Sequence, residues 1–180
     1  DPTMDQEITF RRLRVYNLVM GIFHAAQGIL MVWLSNDFTL PVRTNYLLFD
    51  TTTSKLVTDT QTAFNLRFGI AVACFLFLSA LAHLLLTLPG IYPWYVENLK
   101  RGINKARWIE YALSSSLMIV LIAMLTGVYD MAALLAMFAA NASMNLFGYM
   151  MELHNQMTER TDWTAFVFGC ITGIVPWIIL

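Results

Sequence analysis

Five long apolar runs decide what this chain can become. They cover residues 13–34, 63–88, 106–128, 131–153 and 163–180, and most of the charged residues lie outside them. A hydrocarbon core ~30 Å thick needs about 20 apolar residues in one α-helix. The predicted fold is therefore all-α: a polytopic transmembrane helical bundle that forms a single domain over 1–180. Only 13% of the residues are charged, against about 25% in soluble domains. The first run follows Arg11, Arg12 and Arg14, as a signal peptide would, but it is too long for an h-region and has no small-residue cleavage site. It is read as a retained span. The fifth run is still apolar at Leu180, so the protein is expected to continue beyond it.

The formal net charge of −1 gives no reason to expect a nucleic-acid partner. Cys74 and Cys170 both lie in apolar runs and are expected to be buried thiols, with no disulfide framework and no metal-binding pattern.

Charge asymmetry sets the expected orientation. Arg11, Arg12, Arg14, Lys100, Arg101, Lys105, Arg107 and Arg160 fall on one side of the predicted spans, and only Arg43 and Lys55 on the other. Arg67, near the start of the second run, is expected to reach toward that second side. Eight basic residues against two put the N-terminus in the cytoplasm of a multi-pass cell-membrane protein. The connection 35–62 is long for a helical bundle. It carries β-branched and aromatic residues on both sides of a threonine-rich turn, which predicts an extracellular β-hairpin. A disordered loop is the alternative.

Ionisable groups at membrane depth are costly and need a reason. His24, His83 and Glu110 are the candidates, and span order puts all three in the cytoplasmic half. Ser79 and His83 are i,i+4 neighbours, as are Glu110 and Ser114, with Ser115 on the flank. His24 and Gln27 are i,i+3, with Asn17 two turns earlier, and Asn141, Met144, Asn145 and Gly148 line one stripe of the fourth span. Such stripes should turn toward one another. Each has a plainer reading: Glu110 as an interfacial partner of Arg107, the histidines as satisfied core residues, Ser114–Ser116 and Asn141 as interhelical hydrogen-bond glue. The coincidence of an acid and two histidines at related depths favours a chemical role. A buried carboxylate there stores a proton or balances a buried cation. No HExxH, paired aspartates or histidine box is present, so an enzyme is not expected. A proton-coupled small transporter or channel using Glu110 and the histidines remains the alternative function.

The arginine-rich N-terminus, the long hairpin-like connection, the stretch RWIEYALSSS at 107–116, and the spacing Ser79, His83, Glu110, Ser115, Asn141, Met144, Gly148 together resemble heliorhodopsins. The resemblance covers helices one to five of a seven-helix, rhodopsin-like protein with inverted membrane topology. It implies a light-sensing photoreceptor with no net ion transport, and all-trans retinal held as a protonated Schiff base. The lysine for that linkage is expected on a seventh helix outside this sequence, because Lys55, Lys100 and Lys105 lie in loops or at helix ends. By the same resemblance Glu110 matches the counterion, and Ser79 and Ser115 its hydrogen-bonding neighbours. His24 and His83 match a proton-accepting cluster. Tyr111, Met118, Asn141, Met144 and Gly148 fall where the chromophore would be lined. A homodimer through the hairpin and helices four and five is implied, and the signalling partner is unknown.

Overall fold

The computed structural model describes residues 2–180. Helix α1 spans Pro2–Leu34 and leads into an antiparallel ribbon of β1 (Thr39–Asp50) and β2 (Lys55–Arg67). Then follow α2 (Phe68–Thr87), the short α3 (Tyr92–Lys100), α4 (Lys105–Leu125), α5 (Met131–His154) and α6 (Thr164–Ile179). Four helices are long and apolar enough to cross a membrane, within Met4–Leu34, Phe68–Thr87, Lys105–Leu125 and Met131–Met157; Thr164–Ile179 is a shorter apolar helix. The spanning helices pack in chain order, α1 on α2, α2 on α4, α4 on α5 and α5 on α6. The protein is thus a mostly helical membrane-spanning bundle with one small β-hairpin.

The ribbon runs further than the apolar pattern implied. Residues 63–67, expected to open the second span, belong to β2, and α2 begins at Phe68 with no intervening loop. Ala63, Phe64 and Leu66 look apolar enough for a helix, but Phe64 and Leu66 pair with Val42 and Leu40 in the ribbon, and Ala63 is the extra residue where the register shifts. Arg67 accordingly ends a strand and pairs with Asp37 at 3.3 Å. The ribbon tip is closed by Asp50, which accepts hydrogen bonds from the Thr52 amide and from the Thr52 and Thr53 hydroxyls. These donors favour the carboxylate and hold its pKa down to about 2.

The ribbon is fastened to the turn between α4 and α5. The Arg43 amide donates to the Tyr129 carbonyl at 2.8 Å, and Asn45 Nδ2 donates to Asp130 Oδ2 at 2.7 Å. Asp130 also caps α5 by accepting from the Ala133 amide at 2.9 Å. Beneath this attachment Leu40 and Val42 join Ile119, Ala123, Met124, Leu134 and Met137 in the apolar core.

At the opposite end, α2 stops at Leu88-Pro89-Gly90, and α3 occupies what the sequence presented as a plain loop. Pro93 sits in its first turn, where a missing N–H costs nothing. Helix α4 is capped by Asn104, whose side chain accepts from the Arg107 amide at 3.1 Å. The cysteines depart from expectation: Cys74 and Cys170 are both exposed, on outward faces of apolar helices rather than in the packed interior.

Candidate functional site

The polar groups of α1, α2 and α4 converge between the helices toward the α3 end. Their positions follow from helical phase. Ser79 and His83 lie one turn apart on α2, so one face presents a hydroxyl to α4 and a ring to α1. Ser79 Oγ donates to Glu110 Oε1 at 2.8 Å. His83 Nδ1 donates to Asn17 Oδ1 at 2.8 Å, and Asn17 Nδ2 in turn donates to the Leu13 carbonyl at 3.0 Å. His24 Nδ1 donates to Gln27 Oε1 at 3.0 Å. The two imidazoles stack with centroids 5.6 Å apart and an interplanar angle of 22°. With each Nδ1–H given to an amide oxygen, each Nε2 carries the lone pair and can accept a proton.

Glu110 lies one turn into α4. The sequence offered Arg107 as its partner, but Arg107 turns the other way. Its guanidinium meets Glu152 Oε1 at 2.6 Å, and Glu152 Oε2 accepts from the Asn104 amide at 2.8 Å. This clamp ties the start of α4 to the end of α5. Among the described residues no cation forms an ion pair with Glu110. Among the described residues the Ser79 hydroxyl is the one side-chain donor to this carboxylate. Beside it is a cavity of about 160 Å³, whose wall includes Asn17, His83, Arg107, Glu110 and Tyr111.

Ser115 is placed differently from Ser79. Five residues beyond Glu110, it points about 140° away around the helix. It accepts from Asn141 Nδ2 at 2.8 Å and from Asn145 Nδ2 at 3.1 Å, and donates to the Tyr111 carbonyl at 2.5 Å. It is therefore not bonded to Glu110. Ser116 accepts a second bond from Asn141 at 3.0 Å, so the two helices share a buried polar node. The sequence singled out Ser115 for the carboxylate; the node's acceptor role needed the facing asparagines to be placed first.

The remaining chromophore candidates divide among three surroundings. Tyr111 and Met118 share an exposed face of α4 with Ser115 between them, at i, i+4 and i+7. Gly148 of α5 lies against the Trp108 indole, so close that a Cβ there would collide with the ring. Met144 turns to the other flank of α5 and packs against Gly169 and Gly173 of α6. The stripe expected to hold Met144 and Asn145 together is thus split, since adjacent residues point about 100° apart.

A family model for heliorhodopsins matches residues 13–180, which takes in every one of these groups. The chain belongs to the heliorhodopsin family. Comparison with curated proteins gave no match. Membership makes this a rhodopsin-like membrane protein of a retinal-binding photoreceptor family, which is not a classical enzyme family. Within the heliorhodopsin frame the groups that sequence reasoning missed are Glu152 and Trp108. Glu152 lies at the end of an apolar run, where its charge alone gives no signal, and its two bonds to the start of α4 give it a role. Trp108 was read merely as part of a motif, although it fills the notch left by Gly148.

Proposed function

We propose that this protein is a light sensor that moves no net charge across the membrane, with Glu110 as the counterion of its chromophore. The observation that carries the reading is the solitary carboxylate: Glu110 lies in a membrane span, bonded to Ser79 and, among the described residues, in no ion pair. Leaving such a charge unpaired in low dielectric is unfavourable. A cationic chromophore relieves it, and Glu110 in return favours the protonated state of that cation.

The residues present suit retinal. Tyr111 and Met118 offer an aromatic ring and a soft thioether from one exposed α4 face, Asn141 holds the node behind them, and Gly148 and Met144 set how closely α5 approaches its neighbours. All-trans retinal, bound through a lysine outside residues 1–180, supplies a coloured cation whose shape changes in light. Ser79 fixes the orientation of the carboxylate. His83 and His24 keep Nε2 free to take up a proton on the N-terminal side, which the charge asymmetry makes cytoplasmic. Toward the ribbon Leu40, Val42, Ile119, Ala123, Met124, Leu134 and Met137 form an apolar cluster. Among the described residues the imidazoles near Glu110 lie on the side away from that cluster, which supports return of a released proton rather than net transport. The exposed Leu47, Phe49 and Leu56 on the ribbon support a second copy of the chain as its partner.

The test is the visible spectrum of the full-length protein loaded with all-trans retinal, with and without Glu110→Gln. A band that bleaches in light with hydroxylamine is expected. Glu110→Gln should shift it to the red and lower the chromophore's pKa by roughly 1–3 units. An unchanged band and titration would remove Glu110 from the role. If no band forms, a proton-coupled transporter using the same cluster becomes the leading reading.

A further inference from the structure

Helix α1 is longer than its membrane span. Its 33 residues reach about 50 Å, whereas the hydrocarbon core takes ~30 Å. Arg14 marks the boundary: its Nε and Nη2 donate to the Thr87 carbonyl, the last residue of α2, at 3.0 and 2.6 Å. What precedes Arg14 therefore projects past the end of α2, alongside α3. The two segments touch where the Tyr92 hydroxyl donates to the Phe10 carbonyl and Lys100 Nζ lies 5.5 Å from the Phe10 ring centroid. Between them is an open groove of about 570 Å³, with Arg11, Arg14 and Lys100 on its walls.

Charge in this groove is not balanced internally. Two carboxylates also line it, Glu7 and Glu97, but Glu97 is already paired with Arg101. Arg11 and Lys100 are exposed and form no ion pair among the described residues. Arg14 spends two of its five N–H donors on Thr87 and keeps three. The depth is that of lipid headgroups, and the exposed Trp94 on α3 is the kind of residue that settles there. Directly below Arg11, one face of α1 presents Val15, Leu18 and Ile22, all exposed, at i+4, i+7 and i+11. Cations above a continuous apolar track match a molecule with an anionic head and a hydrocarbon tail.

We propose that the groove between the projecting end of α1 and α3 binds one anionic phospholipid, its phosphate on Arg11, Arg14 and Lys100 and an acyl chain along Val15, Leu18 and Ile22. The site is independent of the chromophore and of which way the protein faces.

The experiment is native mass spectrometry of the full-length protein from nanodiscs of equimolar phosphatidylglycerol and phosphatidylcholine. The protein should retain phosphatidylglycerol in preference. Arg11→Gln and Lys100→Gln should each cut that preference about fivefold. Arg160→Gln, a basic change on the same side but outside the groove, should leave it intact. Equal retention of both lipids, or an equal loss in Arg160→Gln, would overturn the site in favour of diffuse surface charge. Displacement of the lipid by millimolar inorganic phosphate would also overturn it, because the groove would then hold a free anion rather than a lipid.

Discussion

The two ends of this bundle are built on opposite principles. At the ribbon end, Leu40 and Val42 close over Ile119, Ala123, Met124, Leu134 and Met137, and Ala123 and Met137 have no exposed surface at all. At the α3 end, hydrogen bonds join Ser79 to Glu110 and His83 to Asn17, and Asn17, His83 and Glu110 line a cavity. Helix α4 serves both. The difference teaches that close packing and proton-accepting groups are kept apart along the helix axis, with the node of Ser115, Ser116, Asn141 and Asn145 between them. Within the spanning helices, His24, His83 and Glu110 lie away from the dry end.

Four changes break or sharpen this contrast. The largest effect is expected from Met137→Ala, which empties the dry end. Thermal unfolding in detergent should show a loss of roughly 2–5 kcal/mol, with the visible band of the retinal-loaded protein unmoved. A shifted band would mean that the two ends are coupled. Next comes Glu152→Gln, which weakens the clamp on the first turn of α4. Arg107 is 42% exposed, so water screens the pair and the loss should be about 1 kcal/mol. Here the band should move, because Glu110 rides on that turn; a fixed band would show that Ser79 alone positions the carboxylate. Asn141→Leu dissolves one partner of the node and should cost about 0.6 kcal/mol by equilibrium unfolding, the usual scale for such bonds in membranes. A loss several times larger would make the node a structural centre in its own right.

The smallest effect belongs to the ribbon tip. The folded pKa of Asp50, about 2, lies below its ordinary value of 3.8. A depressed carboxylate stabilises the fold above its unfolded pKa and ceases to do so as pH falls through the folded one. Amide exchange at residues 51–54, corrected for intrinsic rates, should therefore rise as pH falls from about 4 to 2, while the bundle stays protected. Flat protection across that window would show that Asp50 does not hold the turn.

How far sequence reasoning reached depended on whether the deciding partner was local. The depths of His24, His83 and Glu110 could be read from span order alone, and the hairpin from β-branched residues flanking a threonine turn. Pairings across helices could not. The Ser79–Glu110 bond joins residues 31 apart and the Asn17–His83 bond residues 66 apart, and both depend on the rotation of whole helices. The plainer reading that pairs Arg107 with Glu110 follows from their nearness in sequence, whereas Glu152 is the carboxylate near Arg107 in space. The cysteines were misjudged for a related reason: apolar surroundings in sequence do not say which face of a span looks outward. Helix α3 escaped notice because nine residues beginning Tyr92-Pro93 carry too little periodicity to stand out from a turn.

The seamless passage from β2 into α2 has a consequence for how this chain can change length. Residues gained or lost at the ribbon tip, around Thr51–Ser54, alter an exposed turn at the far end of the hairpin. One residue inserted between Arg67 and Phe68 has no slack to absorb it. It would turn all of α2 by about 100° and shift it by ~1.5 Å. Ser79 would then face away from Glu110, and His83 away from Asn17. Insertions and deletions should therefore be tolerated at the tip and excluded from the junction.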